Sequence, residues 1–401
     1  MKRLYAALLC TALLCGCADS TAAPDGPAAP ISVEADEVSA VDTAAMADFA
    51  LALLRQQQPG KQNTLISPLS ILAALGMTAN GADGETLEQM EEVFGLTANR
   101  LCAIMPGLLA GNDALHLANG IWYRDAGMTV YPEFLAACAD YYNATAKPTS
   151  MDATTREEIN AFIEEHTESM IPDMLAEGAI DPHIVMLLVN ALAFEAEWTV
   201  EYLLYQNTSE PFAGVDGTVT YMGSTERRYL EGRNATGFIK PYRGDRYAFA
   251  AILPNRGVTL DDYLADLDGA ALVDLLNSAT DATVMARLPK FSCDYDADLA
   301  ASLSAIGMPA AFDGALADFT RLGTAVEGNI FIEKVMHRTH ISVGEKGTEA
   351  AASTVVVAVP ETAMVIPADA KYVYLTRPFL YMIVDLDTAL PVFIGTVTDP
   401  R

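Results

Sequence analysis

Cysteine, histidine and positive charge are all scarce in this chain. Six of its 401 residues are cysteine and five are histidine, and 24 Lys and Arg face 53 Asp and Glu, a formal net charge of −29. That imbalance repels phosphate backbones and sulfated polysaccharides, and no cluster of Lys or Arg offsets it locally, so nucleic-acid and heparin-like partners are not expected. No Cys-x-x-Cys occurs. Beyond the N-terminal segment only Cys102, Cys138 and Cys293 remain. An odd number argues against a disulfide framework or a structural zinc site, and leaves a single bridge open. Catalytic signatures are missing too. There is no Gly-x-Ser-x-Gly elbow and no His-Glu-x-x-His, and Gly81 and Gly84 lack the lysine of a phosphate-cradling loop. His337 and His340, three apart on a strand, point to opposite faces and do not make a metal pair. Enzymatic catalysis, a metal and a cofactor are therefore not expected.

Long apolar runs are absent except at the start. Lys2 and Arg3 precede an apolar stretch from Leu4 to Leu14, which is too short for an ordinary transmembrane helix and has the layout of an export signal. It ends in Leu14-Cys15-Gly16-Cys17, which resembles a bacterial lipobox. That resemblance implies lipidation of Cys17, a signal peptide over residues 1–16, and a protein secreted and lipid-anchored at the bacterial cell surface or envelope, with no other membrane contact. Residues 17–37 are rich in Ala, Pro, Asp and Glu and read as a disordered tether.

What is plentiful is apolar side chain, 51% of the chain, and from Val38 it is patterned. Met46, Phe49, Ala50 and Leu53 follow the i, i+3, i+4, i+7 spacing of an amphipathic helix, ended by Pro59-Gly60. Ser67 is placed to cap a helix whose first residue is Pro68. Thr86 and Gln89 have capping-box spacing. Leu87, Met90, Val93 and Phe94 form the buried face of that next helix, and Gly95 closes it. Near the far end, Gly347-Thr-Glu-Ala-Ala-Ala-Ser-Thr354 is a run of small side chains. On an extended chain Thr348, Ala350, Ala352 and Thr354 share one face, and the charge of Glu349 lies on the other. The residues alone fit a surface loop, and they also fit a strand that buries its small face without stranding a charge.

Several blocks, in order, resemble the serpin family. Asn63 to Thr86 carries the Ser-Pro-x-Ser turn and the Gly-Ala-x-Gly-x-Thr connection. Ile159-Asn160-Ala-Phe162 resembles the helix that lies across the family's main sheet, and Val189 to Trp198 resembles its strand ending in tryptophan. Leu288-Pro-Lys-Phe-Ser292, Ile332 to His337, Arg377-Pro-Phe-Leu380 and Pro391-Val-Phe-Ile-Gly395 complete a match from about residue 40 to 399. Glu195 and Ala196 stand where the family usually has Lys-Gly, which leaves the local charge balance open. The resemblance implies an α+β fold, a single domain over residues 38–401 with a large mixed main sheet, two further sheets, eight to nine helices and an exposed reactive-centre loop. It also implies that Ser67, Ser70, Asn190 and His337 form the polar cluster called the shutter, with His337 paired to Asn190. Trp198 would lie at the breach, where the loop first inserts.

The activity implied is suicide-substrate inhibition of serine proteases through a covalent complex, by a monomer. Glu345, Gly347, Thr348, Glu349, Ala350, Ala351, Ala352, Ser353 and Thr354 become the loop hinge, with Thr348 inserting first. The family's spacing puts the reactive bond at Glu361-Thr362, and the length of the loop leaves Ala363, Met364 and Val365 open as well. Lys and Arg are absent between Lys346 and Lys371, which disfavours trypsin-like proteases. The small apolar residues there suit elastase-like or chymotrypsin-like pockets. A non-inhibitory relative acting as a binding or structural surface protein is the alternative.

Overall fold

Short-range chemistry sets most of the helix boundaries. The computed structural model describes residues 32–110, 113–180, 184, 186–326, 328–348 and 367–401. Helix α1 (Ala40–Gln56) starts on a Ser39/Asp42 capping box and buries Met46, Phe49, Ala50 and Leu53, the stripe expected from their spacing. Helix α2 (Pro68–Ala79) begins at Pro68 with Ser67 as its cap. It is apolar on every side and wholly buried, as a helix threaded through a core must be. Helix α3 (Gly84–Phe94) departs from expectation. Its cap is Asp83, whose carboxylate accepts from the Gly84 amide. Thr86 lies inside the helix and accepts from the Asp318 amide, while Gln89 binds Glu85 and the Ala310 amide. The nearer carboxylate takes the cap, and the hydroxyl is released for a tertiary bond. Gly95 ends α3 at φ +66°, a left-handed conformation that glycine adopts without penalty.

Helices α4 (Ala98–Leu109), α5 (Pro132–Tyr142), α6 (Ala153–His166), α7 (Leu260–Asp266), α8 (Gly269–Asn277) and α9 (Ala300–Ile306) complete the nine found among the described residues. Three sheets of nine, seven and two strands accompany them, so the α+β class holds. The N-terminal tether is shorter than expected. The Val33 amide donates to the Tyr141 hydroxyl, the Asp36 amide donates to the Ala103 carbonyl, and Arg100 pairs with Asp36 and Asp42. One cation on α4 thus draws the acidic chain onto the body before Val38.

The seven-stranded mixed sheet positions the site. Its order is Thr145–Thr149, Leu115–Arg124, Met186–Phe194, Met336–Val343, Gly347–Thr348 and Ala196–Glu197, with Phe291–Asp298 also paired to Met336–Val343. Met186–Phe194 is buried throughout, as a strand covered on both faces requires. Helix α6 packs against Leu115–Arg124 over a small apolar cluster that includes Trp122, Ile159, Ile163 and Val189. Helix α2 lies in the main core beneath the sheet.

Candidate functional site

Two strands at the centre of this sheet barely hold each other. Met336–Val343 runs parallel to Met186–Phe194, and their register joins Met336 to Val189, His337 to Asn190 and Arg338 to Ala191. Above those pairs, no ladder partner joins residues 339–342 to 192–194 among the described residues. At the upper end Gly347–Thr348 sits in the gap, antiparallel to Val343 on one side and to Ala196 and Glu197 on the other. A two-residue strand therefore already stands between the parted strands at their upper end.

Below the gap lies a buried polar cluster. The Ser67 amide donates to His337 Nε2 at 3.2 Å, and the Ser67 hydroxyl donates to the Val392 carbonyl at 2.9 Å. The Ser70 amide donates to Ser67 Oγ, and the Ser70 hydroxyl donates to Asn190 Oδ1. Asn190 in turn donates to Asn119, which donates to the Tyr142 carbonyl at 3.1 Å. All four residues expected in the shutter are buried and share this network. Its wiring differs in one respect. His337 and Asn190 are cross-strand neighbours, but the imidazole's hydrogen bond goes to Ser67 and the Asn190 amide goes to Ser70 and Asn119. Burial lowers the His337 pKa to about 3, so the ring is neutral and Nε2 is free to accept. A satisfied network of this kind ties α2 to both central strands.

Above the gap is the region around Trp198, where the breach is expected. Trp198 is buried. Its indole donates to the Gly344 carbonyl at 2.8 Å and its amide to the Lys346 carbonyl at 2.7 Å. Tyr242 stacks on that indole, 4.3 Å between centroids and 12° from parallel, and its hydroxyl meets Thr348 Oγ1 at 2.6 Å. Thr348 is wholly buried, its side chain turned inward as the alternation predicts. Gly347 fits because any Cβ there would collide with the Ala196 carbonyl. Glu345 is held by Lys290 at 2.9 Å and Asn207 at 2.8 Å. Burial pushes its carboxyl up, but those bonds outweigh it and hold the group below the ordinary carboxylate range. Next to Glu195 and Ala196, Glu197 pairs with Arg243, and Ala196 pairs with Thr348 along the ladder.

Of the residues expected in the hinge, Glu345, Gly347 and Thr348 are described, and Gly347 and Thr348 pair into the upper end of the sheet. Glu349, Ala350, Ala351, Ala352, Ser353 and Thr354 lie outside the described residues, as do the reactive-bond candidates Glu361, Thr362, Ala363, Met364 and Val365, and Cys17. Sequence reasoning missed Asn119, Tyr242 and Asn207, which carry no local signal. Lys290 stood inside a recognised block, Leu288-Pro-Lys-Phe-Ser292, without a role assigned. The described residues contain no group of His, Cys, Asp or Glu suited to a metal. Chemically the arrangement offers a parting between two strands, Gly347 and Thr348 paired at its upper end, and a polar network beneath it.

Comparison with known proteins agrees with that geometry. A family model described as serpin (serine protease inhibitor) matches residues 44–400. The solved structure of a thermophilic serpin, tengpin, in its native state superposes with a TM-score of 0.83 at 38% identity, covering 92% of this chain and 97% of that one. An uncharacterised serpin-like protein of Thermococcus kodakarensis is 29% identical over 89% of this chain and 85% of its own length. The leukocyte elastase inhibitor of Bos taurus is 28% identical over 91% of this chain and all of its own. With the family model matching residues 44–400 and the fold shared with a 38% identical solved serpin, this chain belongs to the serpin family.

Proposed function

We propose that this protein inhibits serine proteases of elastase-like or chymotrypsin-like specificity as a suicide substrate. One observation carries the reading: Gly347 and Thr348 already occupy the top of the sheet, and below them no ladder partner among the described residues joins 339–342 to 192–194. A protease cutting within residues 361–365 attacks the scissile carbonyl with its serine oxygen. The peptide nitrogen leaves as the new amino terminus, and an acyl-enzyme ester remains. The freed chain then follows Thr348 down the slot and carries the protease with it before water cleaves the ester. Each ladder bond made contributes roughly 1 kcal/mol net, so insertion runs downhill from a kinetically trapped start. The lack of Lys and Arg between Lys346 and Lys371 supports the assigned specificity. The similarity to a leukocyte elastase inhibitor supports it as well. We place the protein as a monomer on the outside of a bacterial envelope, anchored through Cys17.

Incubation of residues 18–401 with elastase-like, chymotrypsin-like and trypsin-like proteases, followed by denaturing gels, tests this. An SDS-stable complex with the first or second is expected. Cleavage without complex, or neither, points to the non-inhibitory alternative. Thr348→Arg should abolish the complex while cleavage continues, because it would bury a guanidinium in the inaccessible site where Thr348 Oγ1 now meets the Tyr242 hydroxyl. Persistence of complexes in that variant would contradict hinge-led insertion.

A further inference from the structure

Eight large apolar side chains are exposed among the described residues, and four of them, Val200, Leu203, Leu204 and Tyr205, fall within six positions just after Trp198. Their exposures are 70%, 37%, 55% and 64%. A fifth, Tyr372, is on Lys371–Tyr374, the first strand after the reactive loop. Scattered apolar residues need no explanation, but four exposed within six positions of a strongly acidic chain do.

The place of this set is specific. Residues 198–213 run between the two ends of the reactive loop. At the first end the Tyr202 amide donates to the Glu345 carbonyl at 2.9 Å, and Asn207 holds the Glu345 carboxylate. At the second end the Ala213 amide donates to the Thr376 carbonyl at 2.8 Å. There too Glu210 pairs with Arg287, whose guanidinium lies 4.4 Å over the Tyr374 ring.

The segment is also built to be rigid. Lys240, nearly inaccessible, donates to the Val200 carbonyl at 2.8 Å and pairs with the buried Glu226 at 3.0 Å. Its ammonium lies 4.3 Å from the centre of the Tyr202 ring. Below the exposed residues there is thus a buried ion pair, an interaction that stabilises little but defines geometry. A turn over Leu204–Gln206 then sets Leu204 and Tyr205 outward.

We infer that Val200, Leu203, Leu204 and Tyr205 form a docking surface for the body of the target protease, contacted before the loop is cut. The inference rests on the inhibitory reading above and adds to it a recognition element outside the loop. A protease acting within residues 361–365 is tethered within about 20 Å of the second loop end, at about 3.3 Å per residue. A protein of about 240 residues has a radius of gyration of about 18 Å. Its surface beside the active-site cleft is therefore within reach of this face. The matching chemistry is an apolar patch with a basic margin. Glu197 and Glu201 share the single cation of Arg243, which leaves the rim acidic, and the net charge of −29 steers a cationic partner in the same direction.

The test uses residues 18–401 and an elastase-type serine protease whose nucleophilic serine is replaced by alanine, so that encounter is read without trapping. Leu204→Asp with Tyr205→Ser should weaken its binding about tenfold, the loss expected when central interface anchors are removed. Leu204→Ser alone should weaken it less, and Leu316→Asp, exposed elsewhere, should leave it unchanged. Circular dichroism checks that each variant is folded. Equal affinity of wild type and double variant, or no binding by wild type, overturns the proposal. So does sedimentation showing that the wild type self-associates through this patch, or vesicle binding that the double variant loses. Denaturing gels with the active protease read the inhibitory function separately. Complexes formed with no loss of affinity sink the docking surface alone, and patch-dependent binding followed by plain cleavage sinks the inhibitor alone.

Discussion

His337 shows how one side chain joins packing to pH. Its ring accepts from the Ser67 amide and is held neutral by burial, with the pKa lowered to about 3. In the unfolded chain the same ring titrates near 6.5, so between about pH 3 and 6.5 the unfolded state binds the extra proton. Stability then rises with pH across that window and is lost as pH falls from about 6.5. At pH 5 the loss is about 2 kcal/mol from this group. Urea midpoints at pH 7.5 and pH 5.0 should show it as a difference between wild type and His337→Gln, since the variant carries every other titrating group. Equal pH dependence in the two proteins would remove His337 from the account. Ser67 and Pro68 belong to the same story: the residues that start α2 also present the amide to the ring.

Among elements, the seam between Met186–Phe194 and Met336–Val343 matters most, because the sheet opens there. Next to its three ladder pairs is a cavity of about 10 Å³, lined by apolar atoms of Ile71, Leu75, Leu188 and Val335 with Asn190 and His337 at one side. Voids leave lining atoms without dispersion partners and weaken the contact between α2 and the sheet. Adding one methyl with Val335→Ile should stabilise the native form by up to about 0.8 kcal/mol, less any strain from tight packing. The same change should slow strand separation, so that more of the protein is cleaved without trapping its protease. A raised thermal midpoint with a higher inhibitor-to-protease ratio at full inhibition would bear this out; a lowered midpoint would mean the site is already full. The α3 cap belongs to this scale too. The Thr86/Gln89 spacing was legible, but Asp83 stood nearer the first free amides.

Across the whole molecule, the proposed insertion starts from Gly347 and Thr348, already paired at the upper end of a sheet whose central strands part among the described residues. Insertion past Thr348 should add about ten ladder bonds at roughly 1 kcal/mol each. At roughly 2 °C per kcal/mol for a chain of this size, the loop-cleaved protein should melt on the order of 10–20 °C above the intact one. Differential scanning calorimetry before and after limited proteolysis reads this directly, and an unchanged midpoint would mean that the cut chain stays outside the sheet.

The sequence by itself determined the helices around Ser67 and Gly95, the α+β class, and the inward turn of Thr348. Caps, periodicity and alternation act within a few residues, so they can be read along the chain. Only the tertiary structure decided that Tyr242 bonds Thr348 across 106 positions and that Asn119 receives Asn190 across 71. Likewise, only the fold brought Val200 to Tyr205 between the two ends of the reactive loop. Such partners are chosen by sheet register and packing, which arise from the whole chain at once, and no local residue pattern encodes them.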